Sequence, residues 1–432
     1  MEFRRNKYLK QLKKHRGVPA VKIIAGARRV GKSYLMNVIF YEDLVKEGFP
    51  PERIIKFAFD SDDDIDRLDS FFPEEPTKSW KKKDFFVVNS KKFRAFIREK
   101  TQQEGPYILL LDEIQVLENF VETLNGFLNR PELDVYVSGS NSEMLSSDIS
   151  TRFKGRRAEI RVLPLSFSEY IQGTGKTPEE AWRDYIVTGG IPMVYAFPDS
   201  ESRANYLSSL AEEVYLKDII ERYDIKLDAE IKELYQVLAS SIGGSVSPSK
   251  LQRTFQSKKG RSPTDDTIRR FIDYFENAFV ISETKQYDVR GRKYIESPTK
   301  IYFSDIGVRN AILGFRQIEE THIMENVIYN ELLYRGYQVN CGRLELFENT
   351  GKGYVRKETE IDFVANKNDE RIYVQSCLNI EESETRKREL RPLEKIKDSF
   401  PKIVVSKSGL AKTVTDSGII LYDLFDFLMQ SA

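Results

Sequence analysis

Residues 26–33 read Gly26-Ala27-Arg28-Arg29-Val30-Gly31-Lys32-Ser33, which meets G-x-x-x-x-G-K-[ST] at every fixed position. The glycines permit backbone angles that a side chain forbids, so successive N–H groups can turn toward phosphate oxygens. A helix starting here adds the positive end of its dipole. Val21 to Ala25 is a short, mostly apolar run leading in, and Leu35, Met36, Ile39 and Phe40 recur at helical spacing afterwards. The pattern is strand, glycine loop, helix, a P-loop. It predicts a nucleotide-binding stretch made of Gly26, Ala27, Arg28, Arg29, Val30, Gly31, Lys32, Ser33 and Tyr34, with ATP as ligand. Lys32 is expected to reach the outer phosphates, and the Ser33 hydroxyl to hold Mg2+.

Further along, Tyr107-Ile108-Leu109-Leu110-Leu111-Asp112-Glu113 is an apolar strand ending in two acids. In open α/β sheets ligands sit at the carboxyl edge, so this strand predicts Asp112 on the Mg2+ shell and Glu113 as general base for the attacking water. An acidic strand end facing solvent is the bland alternative, and the P-loop argues against it. A third strand, Val135–Val137, runs into Ser138-Gly139-Ser140-Asn141, where a polar side chain could touch the γ-phosphate or the water; a plain turn is the other reading. Gly155-Arg156-Arg157 follows. An arginine near the γ-phosphate, in cis or from a neighbouring subunit, stabilises transition-state charge, whereas a surface salt bridge is its ordinary use.

The chain has 432 residues, too many for one ordinary core, and two or three domains are expected. Lys+Arg and Asp+Glu both total 67, which argues against a protein that coats nucleic acid with its whole surface and leaves room for a local basic patch. Two cysteines and two histidines rule out a disulfide framework or a Cys/His zinc site and fit a reducing cytosol. No apolar run reaches the ~18 residues of a membrane span, and the N-terminus is charged, so a soluble cytoplasmic protein is expected.

Residues 1–16 read as a basic helical arm. Ile54–Phe59 is a second strand, followed by the acidic run Asp60 to Asp64, and the Pro- and Lys-rich residues 74–92 read as an exposed excursion. Strands alternating with helices predict an α/β fold, a parallel sheet with helices on both faces. After residue 228 the pattern changes. Ile231–Ile242, a short segment from Ser247-Pro248, and Thr264–Ala278 read as helices. Val280–Thr284 and Lys293–Phe303 read as a hairpin around Gly291. Three helices and a hairpin outline a winged helix. A third, small α/β unit follows: a helix from about 320, strands near 359–365 and 371–377, a charged helix over 381–398, the strand Ile403–Ser406 and a terminal helix Leu421–Met429. The expected domains are 1–227, 228–305 and 306–432.

Taken together the chain resembles the AAA-type ATP-binding proteins of bacteria and archaea that carry a C-terminal domain of unknown function. The resemblance rests on GARRVGKS at 26–33, YILLLDEIQ at 107–115, VSGSNSEML at 137–145, FKGRRAEIRVLPLSFSEY at 153–170, TGGIP at 188–192 and YLKDIIER at 215–222. It covers almost the whole chain and implies ATP binding and hydrolysis. It also implies a sensor-type Asn141 and an arginine finger at Arg156, and no particular substrate. Ring-forming and monomeric relatives both exist, so a homo-oligomer is left open.

Two features of the C-terminal half bear on function. Residues 250–270 hold seven Lys or Arg (250, 253, 258, 259, 261, 269, 270) against Asp265 and Asp266. Double-stranded DNA is thus a candidate partner of the winged helix, but those two acids would repel phosphates, and a protein partner is the alternative. Further on, Glu325 and Glu331 on a helix, Glu360-Ile361-Asp362 on one strand and Gln375-Ser376-Cys377 on the next resemble the core of restriction-endonuclease-like nucleases. There the acids hold Mg2+ and a lysine assists the water. Cys377 stands where that lysine should be, and a neutral thiol cannot supply its charge. Three functions follow as expectations: an AAA-type ATPase whose nucleotide state controls its C-terminal domains, an ATP-dependent DNA nuclease acting at Glu360, Asp362 and Gln375, and a nucleotide-gated protein–protein switch without appreciable turnover.

Overall fold

The computed structural model describes residues 3–82, 85–140, 152–153, 155–259, 263–289, 291, 293–349, 354–409 and 411–430. The chain forms two compact units. One comprises Arg4–Leu163 with Asn277–Phe279; the other comprises Met1–Phe3, Pro164–Glu276 and Val280–Ala432.

The first unit holds seven strands among its described residues: β1 Val21–Ala25, β2 Ile54–Ala58, β3 Lys78–Lys82, β4 Phe85–Val88, β5 Tyr107–Asp112, β6 Leu133–Gly139 and β7 Arg157–Arg161. Five of them make one sheet in the order β2-β5-β6-β1-β7, with every neighbouring pair parallel. All residues of β1 and β5 are buried, so both faces of the sheet are covered, which is why these strands read as unbroken apolar runs. This is the parallel α/β sheet expected of a P-loop protein. Because the strands run the same way, Ala25, Ala58, Asp112 and Gly139 all end at one edge.

The helix after the P-loop is α-helical at Lys32–Tyr34 and Tyr41–Lys46 and wound as π-helix over Leu35–Phe40, where Leu35, Met36 and Phe40 face the core. The helix Ser90–Lys100 starts because the Asn89 side chain accepts from Lys91 N at 2.9 Å and Lys92 N at 3.3 Å. It buries Phe93, Phe96 and Ile97, with the Phe93 ring 5.0 Å from that of Phe57 on β2. The basic arm is a helix at Asn6–Lys14 that buries Tyr8 and Leu12. Two expectations change. Within residues 74–92, read as an exposed excursion, Lys78–Lys82 and Phe85–Val88 pair as an antiparallel hairpin, β3–β4, that runs into the helix at Ser90. Arg157–Arg161 is a fifth parallel strand that the alternating sequence RAEIR concealed.

The second unit begins with two helices whose starts are fixed by capping boxes, Ser166 with Glu169 and Thr177 with Glu180. The TGGIP segment that follows wraps around a buried carboxylate. Asp305 accepts from Gly190 N at 2.6 Å and Val308 N at 2.9 Å. A Cβ on Gly189, where φ is +71°, would stand 2.4 Å from an Asp305 oxygen, and one on Gly307 would stand 2.1 Å from Thr188 O. These glycines are there because two backbone segments close on one carboxylate.

Further on come the helix Asp228–Ser240, the strand β8 Ser245–Val246, and the helices Pro248–Lys259 and Asp265–Asn277, then the strands β9 Ile281–Asp288, β10 Lys293–Phe303, β11 Gln338–Asn349, β12 Tyr354–Lys367, β13 Glu370–Cys377, β14 Lys402–Ser406, β15 Thr413–Val414 and β16 Ile420–Asp423. They form one mixed nine-stranded sheet in the order β15-β16-β14-β13-β12-β11-β9-β10-β8. The β9–β10 hairpin joins the later strands where Gln286–Asp288 run parallel to Cys341–Arg343. The expected helix Leu421–Met429 is half strand: Ile420–Asp423 pairs with β14, and the helix starts at Leu424 under an Asp423 cap. No helix among the described residues is long and apolar enough to cross a membrane.

Candidate functional site

At the carboxyl edge of β1 the chain turns through Gly26–Gly31. A Cβ on Gly26 would lie 2.2 Å from Val162 O, so only glycine fits the first turn. Gly31 takes φ +91°, in the left-handed region, directly before the helix. Between them Arg29 also adopts a positive φ, +65°, a strained conformation for a side-chain-bearing residue.

Lys32 is 4% exposed, and its ammonium donates to Gly26 O at 2.9 Å and Ala27 O at 2.8 Å. Burial pushes its pKa down to about 8, against the opposing pull of Glu113 and Asp112. The lysine is therefore folded into its own loop, under-solvated and facing two acids. Val30 and Ala27 are buried, while Ser33 and Tyr34 are exposed beyond the turn.

Across the edge, Asp112 is 5% exposed and accepts from the Ser138 hydroxyl and, at 3.4 Å, from Asn37 Nδ2 on the π-helical turn. Glu113 has φ +49°, and its N–H points back to Asp112 Oδ1 at 3.2 Å and Ser138 Oγ at 3.3 Å. That strained turn aims the Glu113 carboxylate away from the strand. It accepts there from the Gln115 amide and from Ser140 Oγ at 3.4 Å. The structure thus brings Lys32, Asp112 and Glu113 together, with Ser138 and Ser140 from β6 and its end.

Sequence reasoning missed Asp60, Asn37 and Gln115. Phe59 N donates to Asp112 O at 3.1 Å, which carries Asp60 to the same edge one strand over. Loss of solvation and then the negative charge of Asp112 raise the Asp60 pKa, with Arg28 and Arg29 opposing. The signal was present, since Asp60 follows β2 as Asp112 ends β5. Asn141 lies outside the described residues. Arg156 does not join the site: its carbonyl accepts from Val21 N at 3.1 Å, at the opposite end of β1. Five residues of parallel strand, ~16 Å, separate it from the P-loop of its own chain. Its guanidinium reaches Asn125 Oδ1 at 3.4 Å and Asn129 Oδ1 at 3.5 Å instead.

In the second unit Glu325, Asp362 and Gln375 are each at most 9% exposed. Ser376 N and Oγ both donate to Asp362 Oδ2 at 2.8 Å, and Gln375 bridges Asp362 N at 3.2 Å to Glu389 at 2.8 Å. Glu331 turns elsewhere, to Arg335 at 2.8 Å. Burial, with Glu389 next, pushes the Cys377 thiol up to about 12, so it stays neutral. A positive charge arrives instead from β10: Lys300 Nζ lies 3.1 Å from Glu325 and 2.9 Å from Glu360. Burial and the neighbouring Asp362 raise Glu325 to about 7. Among the described residues no three acids, histidines or cysteines converge tightly enough to cage a metal ion. Arg269, expected among the basic residues of the third helix, is spent internally on Glu283 at 2.5 Å and Asp273 at 2.9 Å.

The parallel sheet, the glycine turn and a buried Lys32 facing Glu113 and Asp112 define a P-loop fold. An AAA-domain model matches residues 19–171 and a domain of unknown function (DUF8612) matches residues 179–319. An uncharacterized protein of Haemophilus influenzae is 31% identical over 99% of this chain and 98% of its own length. One from Methanocaldococcus jannaschii is 26% identical over 94% and 87%. The chain belongs to this family of AAA-domain proteins with a C-terminal domain of unknown function. Among solved structures it is similar to the ORC2 protein of Aeropyrum pernix, in ADPNP–ADP complexes, at 12% identity and TM-score 0.38 over 72% of this chain and 92% of that one. It is also similar to the Aeropyrum pernix ORC1 protein in complex with DNA, at 11% identity and TM-score 0.34 over 73% and 93%.

Proposed function

We propose that the protein is a Mg2+-dependent ATPase whose nucleotide state controls the contacts of its C-terminal unit. One observation carries the reading: a buried lysine in a glycine turn faces two consecutive acids, Asp112 and Glu113, at the end of β5. The residues fit the ligand, because the turn excludes a Cβ at Gly26 and, among the described residues, the Lys32 ammonium has two carbonyls for hydrogen-bond partners. Lys32 would exchange those carbonyls for outer phosphate oxygens, a better partner for an under-solvated cation. Ser33 and Asp112 would hold Mg2+, which supplies charge neutralisation when bound. Glu113 would take the proton of the attacking water, after giving up its bonds to Gln115 and Ser140. Asp60 would complete the acidic edge. Arg156, remote from its own P-loop, would act only on a neighbouring subunit's nucleotide, and Asn141 would touch the γ-phosphate. DNA and a protein are the partners considered for the C-terminal unit, with the exposed Lys250, Arg253 and Arg270 as its basic contacts. Lys32→Ala should abolish binding of a fluorescent ATP analogue; binding at the wild-type level would refute the site.

A second reading, a DNA nuclease, is favoured by Lys300. It brings to Glu325 and Asp362 the charge that Cys377 lacks. Mg2+-dependent nicking of plasmid by the wild type, lost in Asp362→Ala and in Lys300→Met, would establish it. Intact plasmid with wild-type protein would leave the ATPase reading alone.

A further inference from the structure

The β3–β4 hairpin is the feature of the ATPase unit that the nucleotide site does not use. Its strands pair Lys78 with Val88, Ser79 with Val87 and Trp80 with Phe86. Trp80 is 65% exposed, whereas the chain's only other tryptophan, Trp182, is 1% exposed. An indole left in water is held there by its neighbour: the Trp80 ring meets the Phe86 ring edge-on at 5.4 Å. The ammonium of Lys78 lies 5.0 Å from the same Phe86 ring and pairs with Asp62. Lys81 is exposed, and the sequence places three lysines in a row at 81–83. On the described strand Lys78 and Lys81 thus flank the exposed Trp80.

The root of the hairpin is tied to the catalytic strand. Val88 forms a parallel bridge with Leu117, and Glu118 N donates to Val88 O at 2.9 Å. Leu117 ends the short 3-10 turn Ile114–Val116, which begins at Glu113 and carries Gln115, the residue whose amide holds the Glu113 carboxylate. The hairpin and the turn that holds Glu113 are thus joined through Val88, Leu117 and Glu118.

We propose that the β3–β4 hairpin binds single-stranded nucleic acid, with Trp80 stacking on a base and Lys78 and Lys81 meeting phosphates, and that occupancy of the hairpin promotes release of Glu113. Stacking on one aromatic is worth ~1–3 kcal/mol per base, and every base offers a face, so no sequence preference is expected. Phosphate contacts make the affinity fall with salt, with a slope of about −0.7 per contact on a single strand. The coupling to Glu113 rests on the ATPase reading; the binding does not.

The test is titration of the full-length protein with a twenty-residue oligothymidylate, read by tryptophan fluorescence. Quenching should saturate, because Trp80 reports and the buried Trp182 does not. Trp80→Ala should lose the quenching. Read by anisotropy of a labelled oligonucleotide, it should bind roughly 5- to 150-fold more weakly, as loss of one stack implies. Lys81→Glu should keep the fold and flatten the salt slope by about 0.7 or more. Quenching by polyglutamate or by phosphatidylserine vesicles without quenching by the oligonucleotide would overturn the proposal and assign the surface to an acidic polypeptide or a membrane. No quenching by any of the three would also overturn it. ATP turnover should rise with oligonucleotide in the wild type and stay at its basal rate in Trp80→Ala. Binding without such a rise would remove the coupling alone.

Discussion

Replacing Lys32 by methionine tests how the P-loop stores free energy. In the structure the ammonium is buried, and burial drops its pKa from 10.5 to about 8. A tenfold change in proton affinity corresponds to ~1.36 kcal/mol, so holding the charge in this loop costs about 3 kcal/mol. The sign follows from linkage. Below pH 8 the lysine is protonated in both folded and unfolded chains, and the cost is fully present. Between pH 8 and 10.5 the folded protein releases its proton first, so stability rises with pH through that window. Methionine has no proton to release. The difference in urea midpoint between wild type and Lys32→Met should therefore move in favour of the wild type from pH 7 to 10.5. At an m value of ~2 kcal/mol/M the movement is about 1.5 M. Groups that titrate in both proteins cancel in the difference. Saturating ADP should erase the step, because phosphates favour the charged ammonium. A wild-type–variant difference that stays flat across the window would show that the ammonium is not held at this cost.

Gly26→Ala should leave the protein folded by circular dichroism yet lose ATP binding, because the added Cβ meets Val162 O at 2.2 Å and the loop must move away from its present turn; retained binding would contradict the cradle. Asp305→Ala should lower stability by ~2–4 kcal/mol by stranding the N–H groups of Gly190 and Val308, read as a lowered urea midpoint of the C-terminal unit. Burial raises Asp305 to about 6, against the backbone hydrogen bonds that favour its charge. Its contribution to stability should therefore fall as pH rises from about 4 to 6, and the wild-type–Asp305→Ala difference should shrink over that range.

The glycine turn and the acidic strand end beside it were legible in the sequence because their information is local. GARRVGKS fixes a turn within eight residues, and YILLLD reads as a buried strand whatever surrounds it. Asp60 was visible in the same way, at the end of the second strand, but it opens an acidic run, Asp60 to Asp64, in which no single carboxylate stands out. Other parts were hidden for physical reasons. RAEIR at 157–161 is an edge strand with a single fully buried residue, Ile160, so it shows no apolar run. The hairpin around Trp80 pairs a polar strand with a single apolar residue, Lys-Ser-Trp-Lys-Lys, with the short apolar run Phe-Phe-Val-Val, so neither strand shows the alternation by which strands are recognised. The place of Arg156 depends on the direction of β7 in the sheet, which no local pattern reports. Lys300 reaches Glu325 and Glu360 from a strand that is distant in sequence, and nothing at residue 300 announces it. Leu421–Met429 looked helical because LYDLFDFLM is apolar for most of its length; pairing of its first residues with β14 decided for strand.

Steady-state ATP turnover by the purified protein with Mg2+, beside Glu113→Gln, bears most directly on the central claim, with nucleotide affinity measured in both. The account predicts that Glu113→Gln binds ATP as the wild type does and turns it over ~10²- to 10⁴-fold more slowly, the usual worth of a general base. Equal turnover by the two proteins would contradict the assignment of Glu113 and with it the mechanism built on the Asp112–Glu113 edge.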